Sequence, residues 1–392
     1  MPLSVQIEKK LGDFRLEASF EAEEEHFGLL GASGCGKSVT LRCIAGILKP
    51  DRGRIALDGR VLFDSGQGID LKPQERRVGY LFQQYALFPN MTVRQNIEAA
   101  VRGSLAERQA AADRLLREFR IGEIAELRPG QISGGQKQRA ALARILASEP
   151  ALICLDEPFS ALDSFLRRQL ELGLSEMLSG FHGTVLWVSH DRGEIYRNCS
   201  RVCVMDHGKT LETAAVKKLF TRPETEAAAR LAGCRNFAEA LEADDAGSSA
   251  VRVPAWGLTL HCMPPLPDPF RKIGIRSESL KPAALSCGRS PDRCQTGKGG
   301  GGPSDHGPAD GNHRENRFSC QVVREIEEPD RMSILLRPEC AAEKAAGNAA
   351  GNADLLCMEL SKEAWEETKR RNSGTLPKLE VSVPPEEILL LR

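Results

Sequence analysis

FGLLGASGCGKSVTLRCIAGIL, Phe27 to Leu48, decides how this chain reads. Its first four residues are an apolar run of the kind that forms a strand buried on both faces. Its last ten, VTLRCIAGIL, carry helical patterning. Between them lies GASGCGKS, the pattern G-x4-G-K-S in strand–loop–helix order. Glycines let the backbone turn tightly there, so that N–H groups converge on phosphate oxygens, and the helix N-terminus adds the positive end of its dipole. Gly31, Ala32, Ser33, Gly34, Cys35 and Gly36 form the expected cradle. Lys37 is expected to reach the β- and γ-phosphates of a nucleotide, and the Ser38 hydroxyl to ligate Mg2+.

Two more apolar runs, Ala151–Leu155 and Thr184–Val188, alternate with amphipathic patterns over the first 230 or so residues. That alternation predicts a mostly parallel α/β sheet. The segment 92–128 reads as an all-helical insertion. ALICLDEP, Ala151 to Pro158, delivers two adjacent carboxylates at the end of a strand. Asp156 is expected to hold Mg2+, and Glu157 to orient and deprotonate an attacking water. ISGGQKQRAALARIL, from Ile132, places Gly134 and Gly135 before a second helix that has no phosphate of its own. This is a second anion-binding helix end, and its simplest use is to grip the γ-phosphate of a nucleotide held by another subunit.

The chain has 392 residues, enough for two or three domains. Apolar residues make up 41% and charged residues 27%, within the ordinary range of soluble globular proteins. A formal net charge of −1 argues against binding nucleic acid by bulk electrostatics. No apolar run reaches the roughly 18–20 residues needed to span a bilayer, and MPLSVQIEKKLGDF lacks a signal-peptide core. The expectation is a cytoplasmic chain that serves a membrane only by docking onto something embedded there. The twelve cysteines are scattered, with no CxxC pair, and read as buried reduced thiols. After about Asn236 short β-like runs appear, from Val251–Val253 to Leu379–Val383, and a glycine-rich stretch interrupts them.

With these motifs in order, the sequence resembles the ATP-binding cassette ATPases. Their signature LSGGQ stands here with Ile132 in place of leucine, and the resemblance makes Ser133, Gly134, Gly135 and Gln136 contacts to nucleotide. Gln83, in VGYLFQQ, matches the family glutamine that senses Mg2+ and the γ-phosphate, with Gln84 beside it as the alternative. Ser160–Asp163 matches the loop that reaches across the dimer, and gives Asp163 a nucleotide-binding role. His190, in TVLWVSHD, matches the switch histidine. Glu157, His190 and Gln83 are thus the implied catalytic residues; Ser38, Gln83 and Asp156 are the implied metal ligands. Where the family stacks an aromatic residue on adenine this chain has Leu11, with Phe14 close by.

The spacing between Ser38 and Ser133 fits the small helical insertion of transporter ATPases. YALFPNMTV, Tyr85 to Val93, resembles the importer ATPases, in which this region receives a permease helix. Gly59 to Gln83 resembles the molybdate branch, including the arginine pair Arg76 and Arg77. IGIRSESLKPA, near Ile273, resembles a strand at the entry to that branch's regulatory modules. The implied architecture is an α/β P-loop NTPase cassette over 1–235, with a helical subdomain at about 84–150. A small β-rich, oligonucleotide-fold-like regulatory domain follows over 236–392, with a disordered glycine-rich loop at about 288–317. The implied function is ATP hydrolysis, with ATP and Mg2+, in a homodimer at the cytoplasmic face of the cell membrane. The implied partners are permease subunits and, through them, a periplasmic or lipid-anchored oxyanion-binding protein, with no nucleic acid. The transported ion is expected to be molybdate or tungstate. The alternatives are a sulfate or polyamine importer ATPase, or a non-transport ATPase switch.

Overall fold

A computed structural model describes residues 3–82, 85–159, 164–178, 180–243, 249–267, 269–283, 315–342, 355–371 and 378–392. The chain divides into two compact units, Met1–Thr221 and Arg222–Arg392.

The first unit opens with β1 (Leu3–Leu11) and β2 (Phe14–Ala22), joined by a two-residue turn at Gly12 and Asp13. Leu3, Val5 and Ile7 of β1 and Leu16, Ala18 and Phe20 of β2 are buried, the period-2 pattern of strands with one face on the core. Then come β3 (His26–Leu30), α1 (Lys37–Ala45), β4 (Arg52–Leu57), β5 (Arg60–Asp64), β6 (Ile69–Asp70) and β7 (Val78–Leu81). The helical insertion holds α2 (Val93–Glu98) and α3 (Leu105–Glu118), and leads into α4 (Gly134–Ala147). Capping boxes start all three helices: Thr92 with Gln95, Ser104 with Glu107, and Ser133 with Gln136. The unit closes with β8 (Leu152–Asp156), α5 (Ser164–Leu178), β9 (Thr184–Ser189), α6 (Arg192–Asn198), β10 (Arg201–Asp206), β11 (Lys209–Ala215) and α7 (Val216–Thr221).

Its eleven strands form one sheet, in the order β6-β5-β4-β1-β2-β11-β10-β3-β9-β8-β7. The run from β10 to β7 is parallel throughout. β3, β8 and β9 are buried almost end to end, which is why they read as unbroken apolar runs. The remainder departs from the mostly parallel expectation. The pairs β1·β2, β1·β4, β4·β5, β5·β6 and β10·β11 are antiparallel, and β11·β2 is parallel. Short turns such as Gly12-Asp13 permit only an antiparallel return, whereas parallel neighbours need a crossover.

The second unit comprises α8 (Glu226–Leu231), β12 (Cys234–Glu239), β13 (Leu241–Glu242), β14 (Ala250–Val253), β15 (Leu258–His261), β16 (Lys272–Arg276), β17 (Lys281–Pro282), β18 (Asn316–Glu327), β19 (Arg331–Pro338), α9 (Glu339–Ala342), β20 (Leu356–Ser361), α10 (Lys362–Arg371), β21 (Lys378–Val383) and β22 (Ile388–Leu391). It is β-rich, with antiparallel sheets β12-β16-β22, β13-β14-β15 and β17-β21-β18-β19-β20. Trp256 and Trp365 sit fully buried in a core of their own. Most of the glycine-rich stretch, residues 284–314, lies outside the described residues. Its expected end at 317 is too late, because Asn316 and Arg317 already belong to β18. Asn316 is buried and donates to the carbonyls of His261 and Val383, which pins the start of that strand.

Candidate functional site

The parallel strands deliver the motif residues to one edge. Leu30 at the end of β3 lies opposite Ser189 of β9, Asp156 of β8 opposite Val188, and Leu81 of β7 opposite Leu155. The segments that follow β3, β7, β8 and β9 therefore leave the sheet at one level, on the carboxyl side, where open α/β sheets bind ligands.

The phosphate loop follows β3 and turns into α1 with Gly34 at φ 80° and Gly36, the helix N-cap, at φ 109°. Both values favour glycine. Gly31 is fixed by space: a Cβ there would stand 2.2 Å from the carbonyl oxygen of Met205. Ala32, Ser33 and Gly34 are exposed at the lip, while Cys35, Gly36 and Lys37 are buried. The Lys37 ammonium donates to the carbonyls of Gly31 (2.8 Å) and Ala32 (2.9 Å), so the lysine is held across its own loop.

Ser38 and Asp156 are 118 positions apart, and the Ser38 hydroxyl donates to Asp156 Oδ1 at 2.6 Å. Asp156 is buried, and its other oxygen, Oδ2, accepts from the Tyr80 hydroxyl at 2.6 Å. Burial, with the Asp156 carboxylate beside it, pushes the Tyr80 phenol well above its ordinary range. Two hard oxygen donors this close are the set that Mg2+ selects, so Ser38 and Asp156 fit that ion.

Glu157 takes φ 48°, a left-handed conformation rare for a residue other than glycine, and its N–H donates to the Val188 carbonyl at 3.1 Å. Such an outlier is tolerated where the surroundings fix it, and it turns the side chain out of the strand end. Nδ1 of His190, half-exposed, stands 3.3 Å from Oε1 of Glu157. The structure thus brings together Lys37, Ser38, Asp156, Glu157 and His190. A cleft of about 950 Å3 is lined by Lys37, Ser38, Asp156 and Glu157, with Leu11 and Phe14 also on its wall, while His190 reaches it only through Glu157. The Phe14 ring also packs on the loop, with Cζ 3.1 Å from where a Cβ on Gly36 would lie.

Gln83, Gln84 and the loop Ser160–Asp163, Asp163 included, lie outside the described residues. The signature residues stand at the start of α4 and do not line the cleft. Ser133 Oγ accepts from the Gln136 N–H at 3.3 Å, and Gln136 Oε1 accepts from the Ser133 N–H at 2.9 Å. Both polar side chains are engaged in capping, and the N–H groups of Gly134 and Gly135 belong to the first turn, where no helical carbonyl reaches them.

Two contributors escaped the sequence reading. Tyr80 had no motif to mark it. The sequence marks Arg76 only as part of the molybdate-like stretch. Its guanidinium, with no exposed surface, donates to the carbonyls of Leu71, Cys43 and Ile44 and to Asp70. Cys43 and Ile44 lie in the last turn of α1, so Arg76 caps the far end of the helix whose near end holds the phosphate loop. The ten described cysteines are free thiols; seven are buried as expected, but Cys199 and Cys357 are only partly buried and Cys340 is exposed. Burial pushes the thiols of Cys43 and Cys262 up to about 12.

The family model described as ABC transporter matches residues 17–160. The molybdenum import ATP-binding protein ModC of Paramagnetospirillum magneticum is 36% identical over 222 residues, covering 56% of this chain and 61% of the relative. The spermidine/putrescine import ATP-binding protein PotA of Chromobacterium violaceum is 39% identical over 237 residues, covering 59% and 64%. ModC of Rhodospirillum rubrum is 35% identical over 223 residues, covering 57% and 60%. The chain therefore spans less than two thirds of the length of these relatives. The phosphate loop and the acidic pair fall within the matched residues 17–160, and over that stretch the chain is similar to the ABC transporter family and to the import ATP-binding proteins ModC and PotA.

Proposed function

We propose that this chain hydrolyses ATP to energise an ABC importer, and that the cargo is an oxyanion, molybdate or tungstate. The observation that carries the hydrolytic reading is the cluster Lys37–Ser38–Asp156–Glu157–His190 at one sheet edge. Ser38 and Asp156 would hold Mg2+, which supplies charge neutralisation at the phosphates when bound. Lys37 would leave its loop carbonyls for phosphate oxygens. Glu157 would accept a proton from water, with His190 beside it as hydrogen-bond partner. Gln83 and Asp163 keep the roles the resemblance gave them, as proposals.

Ser133–Gln136 would serve the nucleotide of a second copy, which makes the working unit a homodimer with two composite sites. Among the described residues no helix is long and apolar enough to cross a membrane. The proposed location is the cytoplasmic face of the membrane, against permease subunits fed by an external binding protein.

Glu157→Gln is the first experiment. It should bind ATP, lose turnover by at least about 100-fold, and elute as a dimer with ATP in size-exclusion chromatography. Lys37→Ala should lose nucleotide binding; a Lys37→Ala protein with normal turnover overturns the phosphate-loop reading. The identity to a ModC favours molybdate, and the 39% identity to a PotA favours a polyamine as the second reading. Residues 236–392, which fall within the second unit Arg222–Arg392, are proposed as a regulatory domain that senses the oxyanion. Calorimetric titration of the full chain with molybdate, tungstate, sulfate and spermidine separates the readings. Binding of none of the three oxyanions removes the sensor role.

A further inference from the structure

Tyr80 and Asp156 meet because of strand register. Tyr80 lies opposite Cys154 across β7·β8, and Asp156 is two residues beyond Cys154, on the same face of β8. The two side chains therefore share one face of neighbouring strands, and the length of the tyrosine carries its hydroxyl to Asp156 Oδ2 at 2.6 Å. Both residues are buried, at 8% and 7% exposure, and the ring of Tyr80 is held against Phe82 with centroids 4.4 Å apart. The phenol therefore approaches Asp156 from a fixed direction and occupies Oδ2, while Oδ1 is turned to Ser38.

We propose that Tyr80 is a positioning residue for the divalent cation: by holding Oδ2 it fixes the plane of the Asp156 carboxylate and presents Oδ1, on the Ser38 side, to the metal. This rests on the reading of Ser38 and Asp156 as the Mg2+ pair. A carboxylate with both oxygens free can rotate, and the order lost on binding must then be recovered from the metal contact. A phenol on the second oxygen makes that order part of the folded protein.

The test is Tyr80→Phe in the full chain, which keeps the ring and removes only the hydroxyl. Mn2+ is titrated by electron paramagnetic resonance at saturating ADP, and ADP is titrated without metal. Tyr80→Phe should weaken Mn2+ binding about tenfold or more, the scale for losing a hydrogen-bond partner of a metal-ligating group, and leave metal-free ADP affinity unchanged. Half-maximal turnover should require correspondingly more Mg2+, with kcat recovered at excess metal. A change in Mn2+ affinity below twofold overturns the proposal. So does an equal loss of ADP affinity with and without metal, which is what a merely structural tyrosine would give. Tyr80→Met, a flexible apolar side chain that also lacks a hydroxyl, should repeat the result if Tyr80→Phe folds poorly. Wild-type protein that binds no Mn2+ with ADP defeats the underlying Mg2+ assignment instead, so the two failures are distinguishable.

Discussion

Replacing Arg76 with methionine should destabilise the first unit far more than an ordinary surface change. The guanidinium serves four acceptors. One, the Cys43 carbonyl, keeps a second donor in the Gly46 N–H at 3.2 Å. The Ile44 and Leu71 carbonyls and one oxygen of Asp70 lose the donor that Arg76 gives them. Orphaning a buried acceptor costs about 1–3 kcal/mol. Asp70 is about a third exposed, so water takes over part of its loss. The sum spans about 2–7 kcal/mol, and the roughly 3–5 kcal/mol typical of breaking a buried ion pair lies at its centre and is taken as the expected loss. At about 2–4 °C per kcal/mol for a unit of this size, the melting temperature should fall by about 6–20 °C. Differential scanning calorimetry of the full chain measures this, and the transition that Mg–ADP raises marks the first unit. Lysine at 76 should recover only part of the loss, because one ammonium cannot span all four acceptors. A fall below about 2 °C in Arg76→Met would refute the capping argument.

Three further outcomes follow from the same structure. Ser133→Ala removes half of a capping box, and should lower stability by about 1 kcal/mol in urea titration while also weakening ATP-driven dimerisation. Gly31→Ala should abolish nucleotide binding or folding, read by circular dichroism and ADP titration, since its Cβ would stand 2.2 Å from a backbone oxygen. Glu194 is buried, and desolvation raises its pKa in the folded state. Its contribution to stability is thus fully present below its unfolded pKa of about 4.3 and is lost as pH rises through the folded value. Glu194→Gln should flatten that fall and leave the protein more stable than wild type at pH 7 by denaturant titration.

The chemistry of the site was legible because it sits in contiguous words. GASGCGKS and LDEP each place their functional residues within one loop or strand end, so a strand–turn–helix pattern is enough to orient them. The antiparallel half of the sheet was less legible, because alternation such as Leu3, Val5 and Ile7 identifies a strand but not its neighbour. Tyr80 was invisible for a related reason. Its role depends on β7 lying beside β8 in one register, and nothing in VGYLFQQ states that register. Arg76 had a motif but no mechanism until Cys43 and Ile44, more than thirty positions earlier, were seen to end beneath it. The strain at Glu157 was equally hidden, since the sequence marks the carboxylate but not the φ that aims it.

The shared level at which β3, β7, β8 and β9 end makes this edge sensitive to a kind of error that side-chain substitution does not sample. Sliding β8 by one residue against β9 would keep its apolar run apolar and its backbone ladder intact, yet would turn Asp156 to the opposite face. One-residue insertions or deletions within 152–156 should therefore yield folded protein without the Ser38–Asp156 contact. The same lesion in the turn 65–68, between β5 and β6, should be absorbed locally. A deep scan of single-residue indels would then trace the parallel strands as a block of intolerance with sharp ends, a map of register drawn by loss of function alone.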